Sequence, residues 1–167
     1  MSYNLEIMVL GQKDAKVVPI KSKIKVYHEF ERENWKVRAS DTWKFMSYQP
    51  GVWYSMGIID EDDWFWAFDL LDTDFDKLIN QDRYNWINDK DYLENITPLR
   101  VKKQYFADFK KILEYLIDLS PIKTIMMYAR YQGGDEEIIQ GPIPFEKYME
   151  MLQKDEIPFN VCSIITK

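Results

Sequence analysis

The chain has 167 residues, 46% of them hydrophobic and 16% aromatic, which is enough to bury a core in one domain spanning 1–167 without disulfides or metal. A formal charge of −6 repels phosphate backbones and anionic lipid, so nucleic acid and membrane surfaces are excluded as expected partners. The single Cys162 rules out an internal disulfide, the opening MSYNLEIMVLGQ lacks the form of a secretory signal, and no apolar run approaches bilayer length, so a cytoplasmic protein is expected.

Tyr3, Leu5, Ile7 and Val9 alternate with other residues and predict a strand ending near Gly11. Pro19 interrupts the apolar run 17–20, which suits an edge or a strand end. Ile24, Val26, His28 and Phe30 then oppose Lys23, Lys25, Tyr27 and Glu29. Two further alternations follow, one through Trp35, Val37 and Ala39 and one through Trp43, Phe45 and Ser47. The expected arrangement is an antiparallel meander with one dry face. Lysines interleaved with aromatics over 21–48 are read as the solvated face of that sheet, because the acids that adjoin them would cancel a nucleic-acid groove.

Pro50-Gly51 reads as a turn. Beyond it, 52–59 and 64–71 predict two strands joined by Asp60, Glu61, Asp62 and Asp63, with Trp64, Trp66, Phe68 and Leu70 on one side. A helix starting at Asp60 is the competing reading, since acids suit a helix N-terminus. Thr73 and Asp76 form a capping-box pattern ahead of a short helix, and 81–95 reads as loop with helical turns. Thr97-Pro98 predicts the start of the main core helix, whose stripe runs through Tyr105, Phe109, Ile112, Leu116 and Leu119 to a stop at Ser120-Pro121. After it come a central strand over 122–131, a turn at Gly133-Gly134 and a short strand over 136–140. A second amphipathic helix carrying Phe145, Tyr148, Met149 and Leu152 leads to a last strand through Phe159, Val161, Ser163 and Ile165. The expected class is therefore α+β, an antiparallel sheet of about six to eight strands with one long helix and one or two short ones packed on it.

Charge is concentrated in one stretch. Residues 60–98 carry twelve acids and three bases, whereas 1–59 sum to +3 and 99–167 to zero. Within it, Asp60, Glu61, Asp62, Asp63, Asp69, Asp72, Asp74 and Asp76 stand among Trp64 and Trp66 without a single base. Acids beside indoles make a contact surface suited to a basic protein, with aromatics available as desolvated anchors. The plainer alternative is an acidic turn that only keeps the chain soluble.

No catalytic or cofactor signature accompanies it. His28 begins HEFER, but the fifth position needed as a second zinc ligand is Arg32. Asp72, Asp74 and Asp76 match the first positions of a calcium loop, which then fails at Lys77 and Arg83. Gly133-Gly134 lacks a following lysine, and Cys162 sits in VCSII with no adjacent base. A non-enzymatic binding protein without cofactor or metal is expected. The alternative is a small hydrolase or carbohydrate-binding domain using acids beside tryptophans.

The final forty residues, YARYQGGDEEIIQGPIPFEKYMEMLQKDEIPFNVCSIITK, run strand, acidic turn, short strand, G-x-I-P step, small helix and terminal strand. In that pattern the chain resembles the immunity proteins of bacterial polymorphic toxin systems. The resemblance implies a protein that binds and blocks a cognate toxin. Because such proteins diverge at the toxin-facing surface, it carries no family position onto a residue here.

Overall fold

The computed structural model describes residues 3–28, 50–61, 65–67, 69–72, 84–131 and 138–167. The expected strands at 35–39 and 43–47, the helix expected from Thr73 and the Gly133-Gly134 turn lie outside them. The fold is α+β. Strands β1 (Tyr3–Leu10), β2 (Ile24–His28), β3 (Gly51–Ile59), β4 (Phe65–Trp66), β5 (Thr124–Tyr131), β6 (Ile138–Pro144) and β7 (Val161–Thr166) form one sheet in the order β2-β3-β1-β5-β7-β6, with β4 paired to β3. Among the described residues the helices are α1 (Lys90–Asn95), α2 (Phe106–Leu119) and α3 (Phe145–Gln153), with a 3₁₀ turn at Lys103–Tyr105 leading into α2.

Alternation places Leu5, Ile7 and Val9 of β1 on the same face as Tyr54 and Met56 of β3 and Ile125, Met127 and Ala129 of β5. Against this face α2 buries Phe109, Ile112, Leu113, Leu116 and Ile117, close to the stripe expected from its three- and four-residue spacing. Phe145, Tyr148, Met149 and Leu152 of α3 enter the same core. At the far end of α2 the Ser120 hydroxyl donates to Leu10 O at 2.6 Å and accepts from Thr124 N at 3.1 Å, tying the helix stop to both neighbouring strands.

Several expectations need correction. The sheet is mixed, because β6 and β7 run parallel. Phe145 to Gln153 is the crossover between them, and such a helical return allows two strands to point the same way. The meander does not hold either, as β3 lies between β1 and β2. The run 17–20 forms no strand, and 121–123 turn before β5 begins, Lys123 adopting φ 52°. Gly51 opens β3 rather than closing a turn, while β6 continues through Pro142 to Pro144.

The main helix begins at Phe106 and not at Pro98. Residues 97–102 are extended because their backbone groups bond on both sides. Phe159 N donates to Thr97 O and Leu99 N to Ile157 O, both at 2.7 Å. On the other side Asp72 N donates to Arg100 O at 2.9 Å and Lys102 N to Leu70 O at 3.0 Å. A helix there would break all four, which outweighs a favourable cap residue worth about 1 kcal/mol.

Nor is one face alone dry. Glu6 is 1% exposed, and beside it Met8, Met126, Tyr128 and Cys162 form a second buried cluster on the face turned away from α2. Arg130, also buried, lies over the Tyr128 ring at 5.8 Å. Burial pushes the Cys162 thiol up to about 12, so it behaves as a packed apolar group, as expected for a cysteine in VCSII.

One side-chain pair holds the loop after α3. Asp155 adopts φ 60° and receives Arg100 Nε at 2.8 Å and Nη2 at 2.6 Å, while its carbonyl accepts the Tyr84 hydroxyl at 2.8 Å. Both charged side chains are about a quarter exposed, which sets the pair between the weak surface case and the costly buried one. A double-mutant cycle with Arg100→Met and Asp155→Asn, followed by urea denaturation, is expected to give a coupling of about 1–2 kcal/mol. Asparagine is the right probe because it tolerates the left-handed backbone. A coupling near zero would reduce the pair to surface decoration.

Candidate functional site

The acidic stretch begins where β3 ends. Ile58 pairs with Trp66 and Ile59 with Phe65, so the chain reverses direction between Ile59 and Phe65, and the expected hairpin is present in place of the competing helix at Asp60. Asp60 is half-buried and Glu61 exposed. Asp62, Asp63 and Trp64 lie outside the described residues, as do Asp74 and Asp76. Trp66 is placed by its backbone in β4.

The second strand is much shorter than the expected 64–71. After Trp66 the chain bends at Ala67 and turns at Asp69 and Leu70. Leu70 and Leu71 are both buried, which no alternating strand would do, and the Leu71↔Val101 bridge fastens the segment to the extended residues before α2. Asp69 is half-buried there and Asp72 exposed. The expected row Trp64, Trp66, Phe68 and Leu70 is therefore interrupted after Trp66; Trp64 and Phe68 fall outside the described residues.

Two neighbours escaped the sequence reading. Asp108, in the first turn of α2, accepts the Ser22 hydroxyl at 2.6 Å across a separation of 86 residues. The register Ile24↔Ile58 brings the start of β2, with Lys23 just before it, alongside the end of β3 where Asp60 follows. Nothing local in the sequence announces either approach, because the first joins residues 86 apart and the second depends on which strands pair. Lys23 thus stands beside the start of the acidic stretch.

Chemistry beyond charge is sparse. Among the described residues no group of three or more His, Cys, Asp or Glu side chains could hold a metal ion. His28 meets the Tyr54 ring edge-on at 6.5 Å, and the Tyr54 hydroxyl accepts from Gln12 Nε2 at 2.9 Å and Lys16 N at 3.0 Å. Tyr148 is fully buried, and desolvation drives its phenol well above the ordinary range, with Ser163 opposing that rise. At the other end of α2, hydrogen bonding from Lys167, opposed by slight desolvation and assisted by Lys123, holds Asp118 below its usual value. That network is open to solvent and acts as surface electrostatics. No helix among the described residues is long and apolar enough to cross a membrane.

Comparisons with protein families, with curated proteins and with solved structures find no match for the chain.

Proposed function

We propose that the chain is a non-enzymatic binding protein of the bacterial cytoplasm, an immunity protein that neutralises a cognate toxin by covering a basic surface. The observation that carries this reading is the β3–β4 hairpin, which follows β3 into Asp60 and Glu61, the first two residues of the sequence run Asp60, Glu61, Asp62, Asp63 and Trp64. In a toxin that acts on an anionic substrate, the carboxylates would take the place of substrate phosphates, and Trp64 or Trp66 would fill a desolvated pocket beside them. Asp69 and Asp72 extend the same charge along the following bend, towards Asp74 and Asp76. The order β5, β6, α3, β7 follows the strand, strand, helix, strand pattern on which the resemblance to immunity proteins rests.

The test begins with the C-terminal domain of the protein encoded immediately upstream. Expressed alone it is expected to arrest growth, and coexpression with this chain to restore it. Reversing Asp60, Glu61, Asp62 and Asp63 to lysine should then slow association at least about tenfold at low salt and flatten its salt dependence, with folding intact. Arrest that persists beside the wild-type chain would refute the immunity reading. Unchanged association kinetics in the lysine variant would refute the hairpin as the contact.

A further inference from the structure

We draw no further inference here: the strongest candidate, the surface patch of Trp86, Asp89 and Asp91 around the start of α1, is an exposed indole beside acids, and nothing in the structure shows what covers it.

Discussion

Replacing Phe109 with alanine is expected to lower the stability of the chain by about 4 kcal/mol and its thermal midpoint by about 10 °C. Phe109 is fully buried in the first half of α2, with Ile112, Leu113 and Leu116 continuing the same stripe against the sheet. Truncation removes an entire aromatic ring from water-free surroundings, and a cavity of that size closes only in part, since helix and strands are each fixed by their own backbone bonds. Phe109→Leu keeps most of the volume and should cost about 1–2 kcal/mol. Lys111→Ala, exposed on the opposite side of the helix, should change stability by less than about 0.5 kcal/mol. Urea denaturation of the three variants checks the order, with an unchanged slope marking a loss of packing rather than of cooperativity. A cost below about 1 kcal/mol for Phe109→Ala would mean that α2 does not lie on the sheet by this face.

The strands that were legible are those whose alternation decides burial locally. Tyr3 to Leu10, Gly51 to Ile59, Thr124 to Tyr131 and Val161 to Thr166 fall within two residues of the expected bounds, and the stripes of α2 and α3 emerge at the expected faces. What stayed hidden depends on partners distant in the chain. Thr97-Pro98 has every local mark of a helix start, yet the carbonyls and amides of 97–102 are taken by 70–72 and 157–159, and tertiary pairing overrides the cap. Glu6 looks like a solvent position in its alternation, yet it is buried beside the cluster of Met8, Met126, Tyr128 and Cys162, whose members come from three different strands. The parallel run of β6 was equally illegible, since hydrophobic spacing carries no strand direction. At the candidate site the concentration of acids was plain from composition and the hairpin from alternation. The approach of Lys23 to it required the β2–β3 register.

Gly51 supplies the second large expected effect, and its reason is not the turn that Pro50-Gly51 suggests. The residue opens β3 opposite Leu10, and a Cβ built on it would lie 2.4 Å from Val9 O and 2.7 Å from Met8 Sδ. Heavy atoms do not share that space, so Gly51→Ala must push β3 away from β1 at the point where Gly11 N donates to Pro50 O at 2.7 Å. A loss of about 3 kcal/mol is expected, with the pairing of Val52 to Val9 weakened along with it. The two contacts can be separated. Met8 is a flexible side chain that can move, whereas the Val9 carbonyl belongs to the β1 backbone and cannot. Removing the sulfur in a Met8→Ala/Gly51→Ala double variant should therefore leave the glycine penalty almost intact, giving a coupling under about 0.5 kcal/mol by urea denaturation. Substantial rescue would assign the clash to the side chain. Amide exchange at Gly11 and Val52 would report the same event at residue level, speeding up in the single and double variants while the β5–β7 amides, two strands away, keep their protection.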